Sequence, residues 1–159
     1  MQVTNMTVLT RRNFTTGALG LAFAPGLLRP ARATPETMQA AIREVIGEAH
    51  VTPGRIKLGI SPLAETGYSV PLELSVESPM TEADHVRSIF VFSEKNPLPN
   101  IVRFHLGPRA GRAQISTRIR LGDSQKLVAI ARMSDGSLWS DEADVVVTLT
   151  ACVQPEYTP

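Results

Sequence analysis

From Arg55 onward the apolar residues of this chain recur at every second position, and that period leaves few folds open. Ile56, Leu58 and Ile60 alternate with Lys57, Gly59 and Ser61, and Val70, Leu72, Leu74 and Val76 alternate with Glu73, Ser75 and Glu77. A period of two puts alternate side chains on opposite sides of an extended strand, so each such run buries one face and wets the other. Further strands are predicted at 86–93, 100–106, 114–121, 126–133 and 144–150. Turn signals separate them: Glu65-Thr66-Gly67, Asn96-Pro97-Leu98-Pro99, Gly107-Pro108, Gly122-Asp123-Ser124 and Ser134-Asp135-Gly136. About seven short strands at roughly 10-residue spacing, with no helix between them, argue for an all-β, immunoglobulin-like antiparallel sandwich.

One helix is expected ahead of the strands. Thr34-Pro35-Glu36 reads as an N-cap, a first-turn proline and a first-turn acid. Met38, Ile42, Val45, Ile46 and Ala49 follow at helical spacing, so residues 35–49 should form one amphipathic helix.

What precedes Thr34 reads as an export signal. Thr10-Arg11-Arg12-Asn13-Phe14 is a twin-arginine pattern, an apolar run extends from Gly17 to Leu28, and Ala31-Arg32-Ala33 offers small residues for cleavage. The apolar run is too short for a stable membrane anchor. The expected organisation is a twin-arginine signal peptide at 1–33, a sandwich domain with its leading helix at 34–150 and a C-terminal arm at 151–159. The expected location is the periplasm, with no membrane contact after signal removal.

The signal also changes what the charge means. The chain has 16 Lys+Arg and 15 Asp+Glu, but residues 1–33 hold four Arg and no acid. Residues 34–159 therefore carry 12 basic against 15 acidic side chains, a net charge of −3. A basic nucleic-acid surface is not expected, and nucleic acid is excluded as a partner.

Enzymatic motifs are missing: there is no G-x-S-x-G, P-loop, H-E-x-x-H or C-x-x-C. His50, His85 and His105 sit in different segments without ligand spacing. No catalytic residue, metal site or cofactor is expected, and the chain reads as a non-enzyme. Trp139, beside the Asp135-Gly136 turn, reads as a core plug. In Ser116-Thr117-Arg118-Ile119-Arg120-Leu121 the alternation turns Arg118 and Arg120 to one face and Ile115, Thr117, Ile119 and Leu121 to the other. Two guanidinium groups on one strand face could hold an anion or a partner's carboxylates, with Arg109 and Arg112 of the preceding loop joining them. A solvated outer strand face is the plainer account.

Cys152 is the only cysteine, three residues past Leu149 in a tail that reads Thr150-Ala151-Cys152-Val153-Gln154-Pro155-Glu156-Tyr157-Thr158-Pro159. Three extended residues span at most about 10 Å, enough to hold the thiol clear of the sandwich. An unpaired thiol in an oxidising compartment is buried, joined to another chain or used chemically. Nothing cationic lies nearby in sequence to activate it, so carrying something for other enzymes fits better than catalysis.

Four stretches then resemble a known family: "SPLAETGYSVPLELSV", "IFVFSEKNPLPNIVRFHLGP", "ISTRIRLGDSQKLVAIARMSDGSLW" and "VVVTL". Residues 56–150 resemble SoxY, the sulfur-carrier subunit of bacterial thiosulfate oxidation, and the twin-arginine signal agrees. The resemblance implies an immunoglobulin-like sandwich that pairs with a SoxZ-like subunit. It also implies a carrier cysteine at Cys152, holding thiosulfate and its derivatives covalently for separate haem, hydrolase and dehydrogenase proteins. The family's arm reads Gly-Gly-Cys-Gly-Gly and stops. Here Ala151 and Val153 flank the cysteine, as in a SoxY paralogue with a variant arm, and the chain runs on. The expectation is a periplasmic sulfur-compound carrier. The alternative is a non-catalytic accessory module of another periplasmic redox system, such as a quinoprotein dehydrogenase.

Overall fold

The computed structural model describes residues 34–149. Residues 1–33, where the signal peptide is expected, and residues 150–159, which include Thr150 and the expected arm with Cys152, lie outside the described residues. The leading helix α1 spans Pro35–Ile46. Its start is the one expected: Thr34 and Thr37 cap each other reciprocally, Pro35 opens the first turn and Glu36 follows. The helix stops three residues short of the expected Ala49. Gly47 adopts φ 68° and returns its N–H to the Arg43 carbonyl, which closes the last turn.

Nine strands follow: β1 Val51–Pro53, β2 Ile56–Gly59, β3 Leu63–Thr66, β4 Val70–Val76, β5 Val86–Ser93, β6 Asn100–His105, β7 Gln114–Ile119, β8 Gln125–Met133 and β9 Leu138–Leu149. The larger sheet runs β1-β9-β8-β5-β6, with β3 also on β9, and the smaller runs β2-β4-β7. This is the immunoglobulin-like sandwich expected from the alternation. Two strands were not expected, and both pair with β9 in parallel: β1 at Leu138–Ser140 and β3 near Val146–Leu149. At three and four residues they are too short to display a period. The last strand also begins at Leu138, six residues before the expected 144. Its first half is polar (Ser140, Asp141, Glu142) and hides the period.

Between the sheets lies the main core. Leu72, Leu74 and Val70 of β4 meet Ile89 and Val91 of β5, Leu127 and Ala129 of β8 and Val145 of β9, all essentially inaccessible. A second core sits outside the larger sheet, where Met38 and Ile42 of α1 cover Phe90, Phe92, Ile130 and Leu138. Strand β5 is therefore covered on both sides, and its Ile89–Phe92 stretch reads as a continuous apolar run rather than an alternation. Arg132 ties helix to sheet by donating to the Val45 carbonyl at 2.8 Å, and its guanidinium lies 5.6 Å from the Phe90 ring centroid.

Candidate functional site

The site expected from the sequence is the thiol beyond β9, so the end of β9 is its foundation. Here β9 has left β8, whose pairing stops at Val145, and lies against β3. The Val146 N–H donates to the Pro62 carbonyl at 2.9 Å, the Val147 N–H to Ser124 Oγ at 2.9 Å, and Thr148 Oγ1 to the Glu65 carbonyl at 2.6 Å. The Leu149 carbonyl accepts from the Gly67 N–H at 2.7 Å. Four hydrogen bonds over four residues fix where any chain beyond Leu149 must start. Cys152 itself lies outside the described residues.

Around this root the surface is apolar. Leu63, Val146 and Leu149 are 57%, 54% and 66% exposed, and Tyr68, next to Gly67, is 58% exposed. Leu63 is in register with Val146 across the β3–β9 pair, so the two form one outward patch.

The arginines divide into two groups. Arg118 and Arg120 are exposed near the end of β7, as the alternation predicts. Arg118 donates through Nε to Ser69 Oγ at 2.6 Å and through a terminal nitrogen to the Ser69 carbonyl at 3.2 Å. Arg109 and Arg112 are exposed in the connection that enters β7 at Gln114, at the other end of the strand. Four residues of β7, Gln114–Thr117, rising about 3.3 Å each, lie between the two pairs, so a single four-arginine cluster does not form.

Arg118 and Arg120 instead border a groove that the sequence reading did not anticipate. Its volume is about 430 Å³, and its lining runs from Asn96, Pro97 and Leu98 through Asn100–Val102 of β6 to Thr117–Arg120 at the end of β7. The Asn96-Pro97-Leu98-Pro99 turn forms one wall, held by a buried amide. Asn96 Nδ2 donates to the Arg120 carbonyl at 2.8 Å, while its Oδ1 accepts from the Gly122 N–H at 2.8 Å and from Gln125 Nε2 at 2.9 Å. An asparagine in a turn signal carries no sequence mark of such distant partners.

The other singled-out residues stay apart. His50 is exposed, His85 Nδ1 lies 3.0 Å from the Thr81 carbonyl, and His105 Nδ1 lies 3.1 Å from Ser88 Oγ. Trp139 is half-buried rather than a core plug: it packs on the edge of the main core, donates from Nε1 to Ser137 Oγ at 3.1 Å and carries the Arg55 guanidinium 5.5 Å from its ring centroid.

Residues 42–152 match the family described as sulfur oxidation protein SoxY. Among solved structures, the sulfur carrier protein SoxY from Chlorobium limicola f thiosulfatophilum is similar at 23% identity and a TM-score of 0.60, over 72% of this chain and 98% of that one. A superoxide reductase (neelaredoxin) from Ignicoccus hospitalis is similar at 18% identity and a TM-score of 0.53, over 72% of this chain and 92% of that one. The superoxide reductase from Nanoarchaeum equitans gives 17% identity and a TM-score of 0.51, over 60% of this chain and all of that one. These likenesses show a shared sandwich. No curated protein sequence matches the chain.

Proposed function

This chain belongs to the SoxY family of sulfur oxidation proteins, and from that premise we propose that it is a carrier of sulfur compounds, with Cys152 as the attachment point. The observation that carries this reading is the extent of the family match, which runs through the whole sandwich and ends on Cys152 itself. The sandwich acts as a handle and the thiol as the working end. Joining a thiol to thiosulfate forms one S–S bond and releases a proton and two electrons. In this reading a separate haem enzyme takes those electrons, and hydrolase and dehydrogenase proteins then act on the cargo.

The carrier works in the periplasm, exported through the twin-arginine signal at 1–33 and starting at Thr34. Its companion is a SoxZ-like subunit, and the apolar patch of Leu63, Val146, Leu149 and Tyr68 beside the arm root supports a paired surface there. A second reading rests on the arm. Ala151 and Val153 add Cβ atoms where the family pattern has glycine, and Val153 is stiff at χ1. That narrows the range of enzyme clefts the thiol can enter, and it favours an accessory of another periplasmic redox system, such as a quinoprotein dehydrogenase.

Intact mass decides between them. Protein isolated from the periplasm should show a mass increment that a mild reductant removes, absent from Cys152→Ser. An unmodified thiol, together with a Cys152→Ser strain that oxidises sulfur normally, would overturn the carrier.

A further inference from the structure

Strand β7 ends the smaller sheet on one side, and its outer edge is open. Among the described residues β7 pairs only with β4, and its backbone makes no hydrogen bond outside that ladder. Every second residue of such an edge turns its N–H and C=O away from the sheet. The opposite edge of the same sheet is treated differently: there Asp141 of β9 accepts from the Leu58 N–H of β2 at 2.8 Å. Next to β7 lies β6, the edge of the larger sheet, and the groove runs between the two.

The side chains at this edge select what can pair there. Arg118 and Arg120 are exposed, while Ile119 between them is buried on the inner face. Ile101 and Val102 line the facing wall, Leu98 stands 74% exposed on the turn that Asn96 pins, and the lining holds no carboxylate. Arg118 is bound to Ser69, whereas the Arg120 guanidinium makes no hydrogen bond or ion pair with any described residue. A strand laid along β7 turns its side chains alternately to these two surfaces. One set meets the arginines and the other enters the apolar groove, so the strand that fits reads acidic, apolar, acidic. A second copy's β7 in that place would set arginines among arginines, which disfavours self-pairing.

We propose that the β7 edge and its groove are a docking site for an extended acidic segment of a partner protein, added as a fourth strand to the three-stranded smaller sheet. Its carboxylates pair with Arg120 and Arg118, and its apolar side chains lie against Leu98, Ile101 and Ile119. The site adjoins the end of β9: the Gly67 carbonyl accepts from the Leu121 N–H at 2.9 Å, and the Gly67 N–H donates to the Leu149 carbonyl at 2.7 Å. A protein held on β7 therefore stands beside the place where β9 ends. This docking goes beyond the carrier reading and does not require the thiol.

The test is an NMR titration of the reduced full chain with the blocked peptide acetyl-Thr-Glu-Val-Glu-Val-Thr-amide. Saturable shifts should gather on the amides of 114–120 and 98–102. Arg120→Glu and Leu98→Asp should each weaken binding about tenfold. Lys57→Glu makes the same charge change as Arg120→Glu but on exposed β2, and should leave the affinity within about twofold. A peptide with Lys in place of Glu should prefer the Arg120→Glu protein to wild type. Methylating alternate backbone nitrogens of the acidic peptide should abolish binding in one of the two phases, because those N–H groups complete the ladder. The substituted positions are exposed, and circular dichroism verifies that each variant is folded. No saturable shift at about 5 mM peptide would overturn the site, as would equal weakening by Lys57→Glu, which marks diffuse charge. Shifts at 114–120 that change on dilution without peptide would give the edge to a second copy and overturn it too. The carrier is tested separately by the mass increment, so either reading can fail alone.

Discussion

The two sheets of the sandwich are built from similar strands yet face the solvent differently. The larger sheet is apolar on both sides: Ile89 and Val91 look into the main core, while Phe90 and Phe92 look out under α1. The smaller sheet is apolar on one side only. Leu72 and Leu74 of β4 are fully buried, whereas Pro71, Glu73 and Ser75 beside them are exposed, as are Gln114, Ser116 and Arg118 of β7. Burial on both sides makes the larger sheet a structural slab in which almost every substitution is felt. Burial on one side leaves the smaller sheet's outer face and edges open to change, and the arginine-bordered groove lies at such an edge.

The comparison breaks first at the larger sheet. Phe92→Ala removes a wholly buried ring beneath α1, and large-to-small changes of this kind cost about 3–5 kcal/mol. Ser75→Ala on the open face of β4 should stay within about 0.5 kcal/mol of wild type. Denaturant midpoints measure both, and a Phe92→Ala protein as stable as Ser75→Ala would erase the distinction. Between the two sheets sits Asn96, whose amide joins the β5–β6 turn to the β7–β8 turn. Asn96→Ala leaves the Arg120 carbonyl, the Gly122 N–H and the Gln125 amide without their partner. The expected loss is about 2 kcal/mol, with faster amide exchange at Gly122 as the local sign.

Ser93 sharpens the contrast by sign. Its hydroxyl is fully buried at the end of β5 and has no hydrogen-bond partner among the described residues. Ser93→Ala removes a desolvated polar atom while keeping the space nearly filled, so stability should hold or rise by up to about 1 kcal/mol. The smallest effect is at the rim of the helix layer. A hydrogen bond from the Thr34 side chain holds the exposed Glu36 carboxyl below its ordinary pKa. A carboxylate whose folded pKa is lowered contributes stability that is fully present above the unfolded value, near ~4.3, and is lost as pH falls through the folded value. An NMR titration should place Glu36 below the ordinary glutamate value, and Thr34→Ala should raise it toward that value.

Which parts were legible follows the same physics. Strands β2, β4 and β7 show their alternation openly because one face meets water, and the outward direction of Arg118 could be read from that period alone. Strand β5 was legible as an apolar run, but nothing in the run tells that a helix covers its second face. The four arginines were grouped by nearness in sequence, and the length of β7 sets Arg109 and Arg112 apart from the other pair. The groove was invisible because its walls come from residues 96–102 and 117–120, joined by an amide in a turn.

By itself the sequence determined the local things: a sandwich from a period of two, a helix start from Thr34-Pro35-Glu36, and a lone thiol at Cys152 past the last strand. Each depends on neighbours a few residues away, which a pattern can record. Only the tertiary structure decided that β1 and β3 pair in parallel with β9, that α1 covers Phe90 and Phe92, and that the root of the arm meets Leu121 through Gly67. Those contacts join residues dozens of positions apart. They are selected by which faces can be buried together rather than by any signal within either partner.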